Sequence, residues 1–171
     1  LEDLKRCIQK HHGRSLLEHR PFAYGVDGQE HKGGNDCTFL GGFLQFFAPG
    51  VAAQVKRVGH LAWETAQWGD LAMNHYSGTN KPYKDPMKAG IRTSGHLSYQ
   101  GWDELGPHSD SESLYTVLLH LSSPLDYDGG EIYMHPHNRP NTPEERLLVK
   151  PDRYSALVFL SDENHGVQKI S

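Results

Sequence analysis

Cysteine is scarce in this chain, and its two copies lie far apart. Cys7 and Cys37 do not have the spacing of a cysteine-based metal site. They are compatible with one disulfide or, equally, with two unpaired thiols in a reducing compartment. Cysteine usage therefore leaves the compartment open.

Basic charge and long apolar runs are also in short supply. The chain has 17 Lys and Arg against 21 Asp and Glu, a formal net charge of −4, so it presents no basic field for nucleic acid or an anionic membrane. Its apolar runs are shorter than a membrane span. No secretory signal opens the sequence, and Leu1 in place of Met indicates a trimmed or partial chain. These features favour a soluble, cytoplasmic protein without fixing the compartment, and they leave the oligomeric state open.

Glycine, proline and histidine, by contrast, are plentiful. Eighteen glycines and ten prolines in 171 residues predict many turns, which favours a strand-rich fold over a helical bundle. The length suits one domain, which we divide into helical support and loops over 1–90 and a β-rich core over 91–171. The 12 histidines exceed what one metal site needs, so most must serve in the core or on the surface.

The first 90 residues predict helices joined by polar loops. Small apolar residues from Val51 to Ala66 recur on one face of a helix over Val51–Trp68, which we expect to pack on the outside of a sheet. The other predictions for this half are a short amphipathic helix over Leu1–His12, loop with at most a short strand over Gly13–Asp36, a buried strand or the approach to a helix over Thr38–Phe47, and a flap or long connection over Asp70–Gly90.

From Ile91 onward the sequence predicts short strands separated by turns such as Asp128–Gly130 and Pro151–Arg153. The expected strands are Leu97–Tyr99, Leu114–Leu121, Glu131–Met134, Leu147–Val149, Ala156–Leu160 and Gly166–Ile170. This pattern is typical of a sandwich or jelly roll. The expected class is therefore α+β, with a double-stranded β-helix (jelly roll) core and N-terminal helices packed on the outside.

Two imidazoles and one carboxylate stand at the edges of this β region. His108 and Asp110 form an H-x-D motif, and in an extended strand their side chains would point to the same face, with Ser109 facing away. The distant last strand, Gly166–Ile170, carries or directly follows His165. This ligand set holds a ferrous ion while leaving coordination positions open, and zinc is the rival metal. A bare H-x-D arises easily by chance, so its value depends on the surrounding motifs.

Those surrounding motifs resemble the iron(II)- and 2-oxoglutarate-dependent dioxygenases, most closely the prolyl 4-hydroxylase-like branch. The resemblance runs from about Arg92 to Ile170. The matching segments are, in chain order, LSY, H-x-D, LYTVLLHLS, DYDGGEIYM, VKPDRYSALVFLS and NHGVQKI. The combination in this order is far more specific than any single motif.

The resemblance implies an oxidoreductase centred on His108, Asp110 and His165 as Fe(II) ligands and catalytic residues. The co-substrate would be 2-oxoglutarate, decarboxylated to succinate while a substrate C–H bond is hydroxylated, with ascorbate as an optional reductant. Because halogenating relatives lack the carboxylate ligand, Asp110 favours hydroxylation. Glu163 and Asn164, beside His165, are candidates for orienting its imidazole.

For the co-substrate, the resemblance implies contacts from Tyr99, Thr116, Leu118 and Lys169. Relatives use a tyrosine at the place of Tyr99 to bind the far carboxylate of 2-oxoglutarate, although a packing role in the core is the alternative. Thr116 and Leu118 would face the co-substrate from the next strand, although threonine is common in strands in any case.

One expected cation is missing from the matching segment. Relatives place a Lys or Arg at a position that would fall beyond Ser171, where it pairs with the far carboxylate. Lys169 is the one cation after His165, and we expect it to point outward. Three explanations stay open: a truncated C-terminus, substitution by Arg92 or Arg153, and impaired 2-oxoglutarate binding.

The branch further implies a peptidyl proline as substrate, in a protein or an extended Pro-rich chain. Asp70–Gly90 and His135–Glu145 would form a lid, and Trp102 would line the entrance or simply pack. A small molecule is the competing substrate, because fold and metal centre do not specify what enters the pocket. The other classes are a non-catalytic metal-binding or interaction domain and a zinc-dependent hydrolase. The expected partners are thus a peptide, protein or small-molecule substrate, without nucleic acid or membrane.

Overall fold

A computed structural model describes the chain over residues 18–21, 36–39, 43–69, 90–92, 94–99, 101, 103–110, 113–135 and 145–171. The helices are α1 (Phe43–Phe47) and α2 (Pro49–Thr65). The strands are β1 (Glu18–Pro21), β2 (Asp36–Phe39), β3 (Gly95–Ser98), β4 (Leu105–His108), β5 (Tyr115–Leu119), β6 (Ile132–His135), β7 (Leu147–Val149), β8 (Ala156–Leu160) and β9 (Asn164–Val167). The predictions for Leu1–His12 and Trp102, and most of those for Gly13–Asp36, Asp70–Gly90 and His135–Glu145, lie outside the described residues.

The strands form three sheets, and every described strand pair is antiparallel. One sheet has the order β1-β2-β3, a second has the order β4-β9-β6-β7, and a third consists of β5 and β8. Helices combined with antiparallel sheets give the α+β character that the sequence predicts. The finer assignment, a double-stranded β-helix, stays a prediction.

Helix α2 supports the sheet formed by β5 and β8. It begins at Pro49, whose fixed φ and missing N–H suit the first helical position. Its buried face includes Trp63, whose ring lies 6.2 Å from that of Tyr115 on β5. Gly59 lets the helix approach closely, because a Cβ at this position would overlap the Tyr115 ring. The helix expected over Val51–Trp68 is thus present and ends at Thr65.

The helices within the described segments do not combine the length and the apolar character that a membrane crossing would demand.

The last strand begins earlier than the sequence indicates. We expected Gly166–Ile170, whereas β9 spans Asn164–Val167 and contains His165. Asn164 and His165 pair with His135 and Met134 of β6, which draws these polar residues into the strand. Ile170 contributes an isolated bridge instead.

A bulge interrupts the pairing of β4 with β9. Leu105 lies opposite Val167 and His108 opposite His165, so β4 has one more residue than β9 between the two pairs. The Tyr133 hydroxyl donates to the Leu105 carbonyl at 3.2 Å, crossing over Gly166, where a Cβ would overlap that hydroxyl. Bulges of this kind redirect a side chain beside a site. Here the bulge lies directly before His108.

Candidate metal centre

The two histidines and the aspartate of the predicted ligand set lie together. His108 ends β4, His165 lies opposite it on β9, and Asp110 follows β4 by two residues. The His108 Nε2 atom is 3.8 Å from Asp110 Oδ1, and the His165 Nε2 atom is 3.8 Å from Asp110 Oδ2. One ligand atom from each residue lies within 4.8 Å of the other two. The fold thus brings together residues that are up to 57 positions apart in the sequence.

Both imidazoles are oriented by backbone carbonyls two residues upstream. His108 Nδ1 lies 2.9 Å from the Gly106 carbonyl oxygen, and His165 Nδ1 lies 2.9 Å from that of Glu163. A carbonyl oxygen only accepts, so each Nδ1 must carry the hydrogen and donate. In the neutral form of each ring, Nε2 then presents a lone pair to the cluster, which is how metal-binding histidines are held. Glu163 therefore acts on His165 through its main chain.

Burial favours the neutral, metal-binding form of His165. The residue is 4% exposed, and the Phe159 ring packs on its imidazole with 4.5 Å between centroids. Desolvation lowers the pKa of His165, and the hydrogen bond to Glu163 and the charge of Asp110 oppose that shift only in part. A histidine must be neutral to bind a metal, so this environment prepares it to do so.

The Asp110 carboxylate is fixed by residues of the two-stranded sheet. The Thr116 hydroxyl on β5 donates to Asp110 Oδ2 at 2.6 Å. Ser161, directly after β8, lies 2.9 Å from the Thr116 hydroxyl, and its carbonyl accepts from the Asp110 N–H at 2.8 Å. The sequence predicts that Thr116 contacts 2-oxoglutarate, and the described hydrogen bonds join its hydroxyl to Asp110, a predicted metal ligand. Ser161 was missed, because a serine after an apolar strand carries no signal of its own.

The donor set fits a divalent transition metal. Two neutral imidazole nitrogens and one carboxylate with room beside them are the ligands of non-haem Fe(II) sites. Ligand atoms bound at ~2.1 Å to one ion at right angles would lie ~3 Å apart. The two separations of 3.8 Å between histidine and aspartate atoms, and the limit of 4.8 Å for the whole set, exceed this value, so the side chains would have to draw together to bind one ion.

The other predicted contacts of the co-substrate are more scattered. Tyr99 directly follows β3, with its hydroxyl oxygen buried. Leu118 is half-buried on β5, opposite Leu157 of β8. Lys169 is exposed beyond the end of β9, four residues after His165, and its carbonyl accepts from Gly130. Their contacts with 2-oxoglutarate stay predictions.

The two candidate substitute arginines lie at opposite ends of β5. Arg92 Nε donates to the Ser113 hydroxyl at 3.0 Å, just before the strand. Arg153 Nε donates to the Leu121 carbonyl at 3.2 Å, just after it. Asp110 contacts the end of the sheet where β5 begins. Of the two arginines, Arg92 is therefore the one at the same end of β5 as the candidate metal site.

Comparison with known proteins adds a distant structural likeness. The chain matches no protein-family model, and no curated protein matches it significantly. A solved oxidoreductase of the 2OG-Fe(II) oxygenase family from Burkholderia pseudomallei overlaps 58% of this chain and 49% of its own, with a TM-score of 0.42 and 19% sequence identity. The match thus spans about half the length of that protein. At this overlap and identity, functional assignment rests on the site residues and not on the likeness.

Proposed function

We propose that this protein is an Fe(II)- and 2-oxoglutarate-dependent oxygenase that hydroxylates a C–H bond. The observation that carries the proposal is the convergence of His108, Asp110 and His165, with both Nε2 lone pairs directed at the cluster. The order of motifs around these residues supports the same class. A zinc hydrolase would use similar ligands but would not account for those surrounding motifs.

Each ligand has a distinct task in this proposal. His108 and His165 would hold the ion through neutral nitrogens, and Asp110 would offset part of its charge. When bound, Fe(II) supplies the activation of dioxygen, coupled to oxidative decarboxylation of 2-oxoglutarate to succinate and carbon dioxide. The protein must also keep water away and place the substrate C–H bond, and the apolar Phe159 ring beside His165 serves the first of these needs.

For the substrate, we propose a peptidyl proline. The support is the sequence resemblance to the prolyl 4-hydroxylase-like branch. A small molecule is the alternative, because a metal centre does not define what reaches it. The acidic balance of the chain, with a net charge of −4, argues against a nucleic-acid substrate.

The test measures succinate formed from 2-oxoglutarate in the presence of Fe(II) and ascorbate. Proline-containing peptides and small metabolites are screened in parallel by mass for the gain of one oxygen atom. We expect turnover in the wild type and its loss in His165→Ala and Asp110→Ala. His60→Ala is the matched control, because His60 lies on α2 and pairs with Glu64.

Three results would contradict the proposal in different ways. A protein that binds the metal but forms no succinate with any of the screened substrates would favour a non-catalytic domain. Activity that persists without oxygen and with zinc would favour a hydrolase. Oxygen gained by a metabolite and not by a peptide would retain the oxygenase and refute the proline substrate.

A further inference from the structure

The side chains of Ser161, Thr116 and Asp110 form a chain of hydrogen bonds that ends at the candidate metal site. Ser161 is fully buried, with 0% of its surface exposed, and Thr116 is half-buried. Their hydroxyl oxygens are 2.9 Å apart, and the Thr116 hydroxyl lies 2.6 Å from Asp110 Oδ2. Thr116 lies on β5 of the two-stranded sheet and Ser161 directly follows β8 of that sheet, whereas His108 and His165 belong to the four-stranded sheet. Asp110 is thus held by one sheet and faces ligands on the other.

The direction of these hydrogen bonds follows from the chemistry of the groups. An ionised carboxylate only accepts, so the single hydroxyl hydrogen of Thr116 is committed to Asp110. The Thr116 oxygen must then accept from Ser161, which donates. Aligned hydrogen bonds polarise one another, so Ser161 strengthens the bond from Thr116 to the carboxylate.

This chain of bonds makes the two carboxylate oxygens of Asp110 unequal. Geometry alone does not distinguish them, because each lies 3.8 Å from one imidazole nitrogen. Oδ2 accepts the short bond from Thr116, which uses one of its two lone pairs and draws charge from that oxygen, so Oδ2 is the weaker donor to a metal ion. Oδ1 stays available. An aspartate that bound through both oxygens would occupy a coordination position that the co-substrate or dioxygen needs.

We propose that Thr116, supported by Ser161, is a positioning residue that restricts Asp110 to coordination through Oδ1 and so keeps one metal position open. This inference rests on the metal-binding role of Asp110 proposed above. It gives Thr116 a role toward Asp110, while the contact of Thr116 with 2-oxoglutarate stays a prediction.

Binding of Co(II) to the otherwise metal-free protein tests the proposal without any catalytic assay. Thr116→Val keeps the shape and the strand preference of the residue but removes the hydroxyl. We expect Thr116→Val to weaken Co(II) binding about 10-fold or more, as loss of an orienting partner usually does. Its visible Co(II) spectrum should also change, because Asp110 would now bind through both oxygens. Thr116→Ser should restore both the affinity and the spectrum.

Ser161→Ala supplies a second, independent variant, with Ser155→Ala as its control. Ser155 flanks the other end of β8, where its hydroxyl donates to the Asp152 carbonyl. We expect a smaller loss of Co(II) affinity in Ser161→Ala than in Thr116→Val, and wild-type binding in Ser155→Ala. Circular dichroism of each metal-free variant tests whether it is folded. If Thr116→Val is unfolded, the Co(II) affinities of Ser161→Ala and Ser155→Ala decide whether the proposal holds.

The possible failures are distinguishable. A wild-type protein that binds no Co(II) would refute the metal centre itself, and with it this inference. Wild-type binding with unchanged affinity and spectrum in folded Thr116→Val and Ser161→Ala would refute only the positioning role.

Discussion

At the scale of single residues, the two arginines at the ends of β5 offer a direct test of co-substrate binding. Arg92→Ala should raise the KM for 2-oxoglutarate by about 10-fold or more, because a hydrogen bond between charged groups contributes about 1.5–3 kcal/mol. Arg153→Ala is the matched control, since Arg153 is also exposed and also donates one Nε hydrogen bond, but at the far end of the strand. Steady-state kinetics with varied 2-oxoglutarate measure both. Equal effects of the two substitutions would count against Arg92.

A second residue-scale prediction concerns stability and pH at His120. Burial, and then the charge of Lys150, lower the pKa of His120 below its ordinary value of 6.5, while its ring nitrogen lies 2.7 Å from the Tyr127 hydroxyl. Between the folded and unfolded pKa values the unfolded chain binds more protons at this site, so stability falls as the pH drops below 6.5.

His120→Gln should therefore reduce the loss of stability on acidification. The measurement is urea unfolding at pH 7.5 and 5.5, with a chelator present so that metal binding does not contribute. We expect the free energy of unfolding to fall less in the variant than in the wild type over this interval. Parallel decreases in the two proteins would show that His120 does not contribute.

At the scale of elements, two glycines of α2 should respond in opposite ways to alanine. At Gly59 a Cβ would overlap the Tyr115 ring, which also packs against Trp63, so Gly59→Ala should destabilise the protein by about 1–3 kcal/mol. At Gly50 no described atom beyond the neighbouring residues and the helix backbone lies within 4 Å of the added Cβ, so Gly50→Ala should be neutral or stabilising by up to ~1 kcal/mol. Chemical denaturation measures both. A stabilising Gly59→Ala would mean that α2 does not pack closely on β5.

The strands also show which parts of the fold can be predicted from the sequence. Strands β7 and β8 have the predicted bounds, because dense apolar runs between turns leave little choice of conformation. For strand β4 the sequence predicted only an extended H-x-D segment without bounds, since LGPH contains both Gly and Pro, which weaken strand signals. Its pairing depends on β9 and on the Tyr133 hydroxyl, and neither is local in sequence.

The candidate site likewise has one part that the sequence predicts and another part that it does not. His108, Asp110 and His165 were predictable as a group because the order of motifs around them is distinctive. The support from Thr116 and Ser161 was not, because it depends on how two sheets face each other, and common residue types give no sign of that arrangement. Tertiary contacts therefore supply the part of the site that orients the ligands.

At the scale of the whole molecule, a metal ion should stabilise the fold by joining the two sheets. Co(II) at about 100 times its Kd should add ~2.7 kcal/mol to the free energy of unfolding, provided that the unfolded chain does not bind it. Thermal unfolding with and without Co(II) measures the effect as a rise in Tm, and a chelator should reverse it. Asp110→Ala should lose most of the rise, while His60→Ala should keep it. A rise of equal size in Asp110→Ala would place the ion elsewhere.

The pairing of β4 with β9, which sets His108 opposite His165, also orders events during synthesis of the protein. A nascent chain that has emerged only as far as β8 carries His108 and Asp110 but not His165, so it cannot complete the cluster. In the proposed oxygenase, iron loading would therefore follow the release of β9 from the ribosome and its docking beside β4. An incomplete polypeptide would then hold no redox-active ion before the residues that surround the site are in place.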